Sequence, residues 1–289
     1  MRKAFLQLHF AILLAGFTGI LGRLITLNEG LLVWYRLFFT TIFLWIIFAF
    51  SKEQKTGTVK TLWPVYAVGG VVALHWVFFY GSIKYANVSI GLICFSSVSF
   101  FTALLDPLIL KRKMDPREVL LGILVMAGIY LIFHFDPKYK TGIVLGIISS
   151  LLAALFTICN KILLRSHSPK QITRHQLTGG WIVLTALMPF YLFLFPAPSL
   201  IPGGSDIGWL IFLSLFCTVL AYNLSMSALK SISPFTVNLS YNLEPLYGIL
   251  LAFLIYREDK ELEAGFYYGM TVILFTVLLQ SWRVWKKKA

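Results

Sequence analysis

The residue best placed to do chemistry is Glu244, an acid followed by Pro245 about twelve residues into an apolar run that starts near 233. A charged acid at the centre of a bilayer costs about 3 kcal/mol on insertion scales, so an ionisable group there is a functional candidate by default. Three chemistries fit it: carrying a proton, ligating a substrate amine, or pairing with the intramembrane Arg36. Proline removes a backbone donor and frees a carbonyl one turn back. The carbonyl near Tyr241 and the side chains of Asn238 and Asn242 therefore make a local polar pocket with Glu244. Arg36 sits six residues into its own apolar run, roughly 9 Å from the end of the helix. Its side chain could snorkel to the interface, bind a carboxylate, or pair with Glu244. A gating or structural role is the favoured reading.

A second group is aromatic. His75, Trp76, Phe79 and Tyr80 have spacings that place them along one broad helical face. The plainer alternative is that the rings pack against lipid and the histidine is satisfied within the core. Ser96, Ser97 and Ser99 fall at the depth of Glu244 in the corresponding part of the first half, where small residues also permit close helix packing. Tyr222 and Asn223 are the counterparts of the His75 group in the second half, and Phe156 and Asn160 are weaker candidates. Gly16, Gly19 and Gly22, with Thr18, give the first helix a thin face for a close neighbour. Asp106 is read as structural, solvated near its helix end or paired with Arg112 or Lys111.

No enzymatic pattern accompanies these groups. The chain has no His-Glu-x-x-His, no Gly-x-Ser-x-Gly and no pair of intramembrane aspartates. His134 and Asp136 are close, but at the outer edge of a span. Cys94, Cys159 and Cys217 all lie in apolar runs without a C-x-x-C pair, and the five histidines lack metal-ligand spacing. Neither metal nor cofactor is expected.

These residues must be held by membrane helices. Of 289 residues, 58% are hydrophobic and 13% charged, against about 25% charged in soluble domains, which leaves too little polar surface to coat a soluble particle. A net charge of +13 can mark a nucleic-acid binder, but here the basic residues lie in short loops between apolar runs. A span needs about 20 apolar residues. Ten candidates meet this: 4–26, 31–50, 62–84, 88–110, 117–135, 142–164, 176–196, 207–229, 233–255 and 263–284. The first is read as retained rather than as a signal peptide, because no small-x-small cleavage site follows it. With the N-terminus cytoplasmic, 18 of the 25 Lys and Arg fall on the inner side and 6 on the outer, leaving Arg36 within a span. That bias puts both termini inside. Accordingly, an external thiol reagent should modify a cysteine placed at Ser205 and spare one at Thr56. The opposite pattern would overturn the orientation.

The halves repeat. A shift of 146 residues places Lys84 on Lys230, Leu104 and Leu105 on Leu250 and Leu251, and Lys111 on Arg257. Five spans, a polar link at 136–141 and five more spans make residues 1–135 and 142–289 two copies. The odd number per copy inverts the second, which places a substrate site near the bilayer midplane between them.

With these features the chain resembles the EamA-like branch of the drug/metabolite transporter superfamily. The resemblance rests on the five-plus-five layout, on Ala15-Gly16-Phe17-Thr18-Gly19 and on Val33-Trp34-Tyr35-Arg36-Leu37. It also rests on Glu244-Pro245-Leu246-Tyr247-Gly248 followed by Arg257-Glu258. The first half departs from the pattern, with Ser97-Val98-Ser99-Phe100 in the matching region and Lys113 where an acid is often found. The resemblance implies an all-α carrier of ten helices in two inverted repeats, working by alternating access around a central cavity. It implies export of amino acids or similar amphipathic metabolites across a bacterial cytoplasmic membrane, with protons as a candidate coupling ion. By position it also implies cavity-lining roles for His75, Trp76 and Phe79, and for Phe100 or Phe101 beside them. The expected substrate-binding set is thus His75, Trp76, Phe79, Ser97, Ser99, Tyr222, Tyr241, Asn242 and Glu244, with Arg36 as a gating or structural partner. An uncoupled channel or facilitator, and a membrane-embedded enzyme, are the alternatives.

Overall fold

A computed structural model describes residues 2–49, 59–135 and 137–286. Asp136, Thr56, Lys52, Lys55, Lys287 and Lys288 therefore lie outside the described residues, as do the side chains of His134 and Arg283. The described residues are helical with no strand. They form α1 (Arg2–Leu24), α2 (Glu29–Ala49), α3 (Val59–Tyr85), α4 (Val88–Phe95), α5 (Val98–Ile109), α6 (Pro116–Phe135) and α7 (Lys140–Leu163). After these come α8 (Pro169–Leu194), α9 (Gly204–Ser214), α10 (Ala221–Ser231), α11 (Pro234–Tyr241), α12 (Glu244–Tyr256) and α13 (Ala264–Lys286). A π turn at Leu215–Leu220 joins α9 to α10. Eight segments are long and apolar enough to cross a membrane, and α6 and α13 complete the ten.

Three local features differ from continuous spans. The fourth span breaks at Ser96 and Ser97, where Ser96 N–H donates to Ile93 O (3.1 Å) and Ser97 N–H to Cys94 O (3.1 Å) in tightened turns. The ninth breaks at Asn242 and Leu243 in the same way, and there Pro245 has no N–H to continue the ladder. Ser97 Oγ donating to Cys94 O (2.8 Å) competes with the helix in the fourth span. The third difference is α8, which starts seven residues before the expected 176. Ser168 Oγ accepts from Gln171 N–H (3.1 Å) and Gln171 Oε1 from Ser168 N–H (3.0 Å), with Pro169 at the first helical position. This capping box fixes the start and brings His175 inside the helix.

The two breaks are separated by the same 146 residues that relate the sequence halves. So are the two non-glycine residues with left-handed backbone, Lys111 (φ 52°) and Arg257 (φ 56°). Packing follows the same relation: α3 lies against α7 as α10 does against α1, α4 and α5 lie against α7 as α11 and α12 do against α1, and α6 meets α13. The broken spans cross one another, α4 on α12 and α5 on α11. Close approach depends on small residues. A Cβ at Gly69 would collide with Gln176 O of α8, and one at Gly22 would lie 2.5 Å from the Tyr80 ring. The thin face of α1 is thus a packing surface, while Thr18 points to the interior cavity.

Candidate functional site

A central cavity lies between the helices, with about 780 Å³ of atom-free space including its opening. Its walls come from both halves. Helices α1, α2 and α3 contribute Thr18, Arg36, His75, Trp76 and Phe79, and α4 contributes Phe95. Helix α7 adds Phe156 and Thr157, α10 Tyr222 and Ser225, and α11 with α12 Asn238, Tyr241 and Glu244.

Arg36 is only 2% exposed and does not snorkel. Its Nε donates to Thr218 Oγ1 (2.8 Å), Nη1 to Tyr80 OH (2.8 Å) and Nη2 to Cys217 O at the longer 3.5 Å. Its Cζ stands 3.8 Å from the Trp76 ring centroid, a desolvated cation–π contact. Cys217 and Thr218 belong to the π turn, so the bulge presents a carbonyl and a hydroxyl to the guanidinium. Glu244 opens α12 and is 4% exposed. Among the described residues it has neither hydrogen bond nor ion pair within 4.0 Å. The pairing of Glu244 with Arg36 weighed in the sequence is therefore not formed. The acid faces the cavity, and the base is spent on Tyr80, Thr218 and Trp76.

The other polar lining side chains have protein partners, although among the described residues His75 Nε2 and Asn238 Oδ1 take part in none of these bonds. His75 Nδ1 lies 2.9 Å from Ser149 O and 2.8 Å from Ser149 Oγ; donation to the carbonyl puts the ring proton on Nδ1. The rings of Phe79, Phe95 and Phe156 stand 5.3–6.2 Å from the imidazole. Tyr222 OH donates to Gln176 Oε1 (2.6 Å) and accepts from Asn160 Nδ2 (3.3 Å), and Gln176 Nε2 closes the ring on Asn160 Oδ1 (2.7 Å). Tyr241 OH shares a proton with Ser225 Oγ (2.6 Å).

The structure thus brings His75, Trp76, Phe79, Tyr222, Tyr241, Glu244 and Arg36 to one cavity. It places Ser97, Ser99 and Asn242 elsewhere. Asn242 Nδ2 donates to Ser99 Oγ (3.2 Å) and Asn238 Nδ2 to Thr102 Oγ1 (2.8 Å), so these side chains fasten the two broken spans together. Phe100 packs on Gly122 of α6, and Phe95 holds the lining position instead. Asp106 takes Arg112 rather than Lys111, at 2.8 Å.

The ends of the cavity differ. At one end Glu258, fully buried, accepts from Val88 N–H (3.0 Å), Ser89 N–H (2.8 Å) and Ser89 Oγ (2.6 Å), and pairs with Arg23. Nearby, Thr26 Oγ1 donates to Asp206 (2.6 Å), Tyr191 OH to Glu29 (2.8 Å) and Lys84 Nζ to Ile25 O (3.0 Å). At the other end Lys161 Nζ donates to the carbonyls of Leu229, Lys230 and Ile232 at 2.6–3.2 Å, and Leu229 itself lines the cavity.

The profile of the EamA-like transporter family matches residues 2–134 and again 140–282. The chain belongs to that family. An uncharacterized transporter of Haemophilus influenzae is 24% identical over 277 residues, covering 88% of this chain and 86% of the relative. One from Archaeoglobus fulgidus is 26% identical over 75% of each chain. A crystal structure covering 100% of both chains superposes with a TM-score of 0.70 at 16% identity, which speaks for the fold. This EamA-family chain is a multi-pass membrane transporter. Sequence reasoning missed Phe95, Thr157, Ser225 and the supporting Gln176 of its cavity. A ring or hydroxyl inside an apolar run carries no mark of which neighbour it will face.

Proposed function

We propose that the chain is an alternating-access carrier that exports small amphipathic metabolites such as amino acids, with residues 1–135 and 142–289 as its two inverted halves. The observation that carries this reading is the cavity between the halves, walled largely by aromatic rings and holding an acid with no hydrogen bond or close ion pair among the described residues. The repeat is supported by the 146-residue relation of the two helix breaks and of the two left-handed residues. The basic bias makes the Lys161 end cytoplasmic and the Glu258 end external, with both termini inside. On that orientation the outer end is tied by Glu258 to Arg23, Val88 and Ser89. Glu244 is the site for a substrate amine or a coupled proton. Counterflow tests the reading. In proteoliposomes preloaded with unlabelled substrate, labelled substrate should accumulate transiently and its uptake should saturate. Linear uptake without counterflow would mean a channel.

A further inference from the structure

The cavity's hydrogen bonding restricts the substrate more narrowly than amphipathic character does, if the cavity is the substrate site proposed above. Of the polar side chains described around it, Arg36, His75, Tyr222 and Tyr241 all have protein partners, and Glu244 has none. A carboxylate is acceptor-only and an ammonium is donor-only, with three N–H groups. A protonated amine is therefore the group that completes the acid, through charge-assisted bonds that are stronger than neutral ones. Arg36 looks at first like the matching subsite for a carboxylate. Three of its five N–H groups already donate, the one to Cys217 O at the long 3.5 Å, one face is covered by Trp76, and the buried Tyr80 hydroxyl depends on it, whereas Thr218 Oγ1 also donates to Leu213 O. Recruiting it would leave the Tyr80 hydroxyl unpaired, at the cost of desolvating that group. Much of the remaining wall is ring surface from Phe79, Phe95, Phe156 and Tyr222, beside aliphatic side chains such as Met226, Leu229 and Val237, which suits an aromatic body and also favours a nearby cation.

We propose that the ligand recognised at Glu244 is a protonated primary amine on an aryl-alkyl body, and that a carboxylate contributes nothing to its recognition. Arg36 serves as an internal strut joining α2, α3 and the π turn. The purified protein in detergent at pH 7 tests this through quenching of its tryptophan fluorescence by three probes: 2-phenylethylamine, phenylalanine and 3-phenylpropionate. The amine should bind saturably and about tenfold tighter than phenylalanine, a difference of one decade in Kd, and 3-phenylpropionate should not bind. Glu244→Gln should weaken amine binding at least tenfold. Glu244→Asp, which keeps the charge, should retain the order of the three probes, and stands in if Glu244→Gln does not fold. Phenylalanine binding as tightly as the amine or tighter would show a working carboxylate subsite and overturn the proposal. Amine binding absent, or indifferent to Glu244→Gln, would overturn it too. Amine binding of the expected kind with no counterflow would sink the carrier reading and leave the binding assignment standing.

Discussion

Glu258→Ala is expected to loosen one end of the bundle and to lower the stability of the protein by about 2–4 kcal/mol. Asn87 is the N-cap of α4 and stays in place. Val88 N–H, Ser89 N–H and Ser89 Oγ would lose their acceptor in a site with no solvent access, and leaving buried donors unpaired costs about 1–3 kcal/mol each before relaxation. The ion pair with Arg23 is worth less than a fully buried one, which costs about 3–5 kcal/mol to break, because Arg23 is 36% exposed and water can replace part of the acid. Glu258→Gln keeps an acceptor for α4 and loses only the charge, so its melting temperature should fall by less than half as much. Gating gives an independent readout. Glu258 ties the end of α12 to the start of α4 and to α1, across the halves. Without it the external end should open more often. Cys217 lines the cavity, so in a Cys159→Ser background a membrane-impermeant thiol reagent should reach it from outside in Glu258→Ala and not in the parent. Unchanged melting together with unchanged labelling would show that Glu258 neither anchors α4 nor latches.

How much of this was legible in the sequence depends on the kind of signal. The spans were visible because about twenty apolar residues in a row match the thickness of a bilayer's hydrocarbon core and would be costly to expose to water. The break in the ninth span was visible in Pro245, a residue that cannot donate to the helix ladder. Its counterpart at Ser96 and Ser97 was not, since serines that break a helix through back-bonding look the same in sequence as serines that let helices pack. The early start of α8 was written in Ser168, Pro169 and Gln171, but the polar residues beside them argued against a span. For the site, the spacing of the α3 rings puts them on one face with His75 but leaves lipid packing equally open, and it is the family resemblance that implies their lining role. Phe156 is a weak candidate and Phe95 none, because an aromatic in an apolar run is as happy facing lipid. Arg36 and Glu244 carry opposite charges within their spans, which keeps a pair among the three readings of the acid. The π turn, a backbone feature without a composition mark, supplied Arg36 with other partners.

Glu244→Gln is expected to have the largest effect on transport, a loss of at least tenfold in substrate-driven and gradient-driven flux with a nearly unchanged melting temperature. Stability should hold because the carboxylate makes no protein hydrogen bond or ion pair that the amide would sever among the described residues. The amide keeps the volume and fits the same space beside Pro245. What it removes is charge and titration. If Glu244 ligates a substrate ammonium, substrate exchange and net transport should fall together, since both require the bound complex. If it carries the proton alone, exchange of substrate for substrate should persist while transport driven by a pH gradient disappears. A structural link to Arg36 would instead give a destabilised variant that removal of Arg36 partly rescues, a coupling that a double-mutant cycle reads directly. The geometry argues against that third outcome, because Arg36 is already engaged by Tyr80, Thr218 and Trp76. Between the first two, the ring-lined space around the acid favours joint loss: a proton site needs only access to water, whereas Phe79, Phe95 and Phe156 beside His75 make a wall for an organic body. Full gradient-driven transport in a stable Glu244→Gln protein would remove the residue from the mechanism and, with it, the reason to place the substrate at the head of α12.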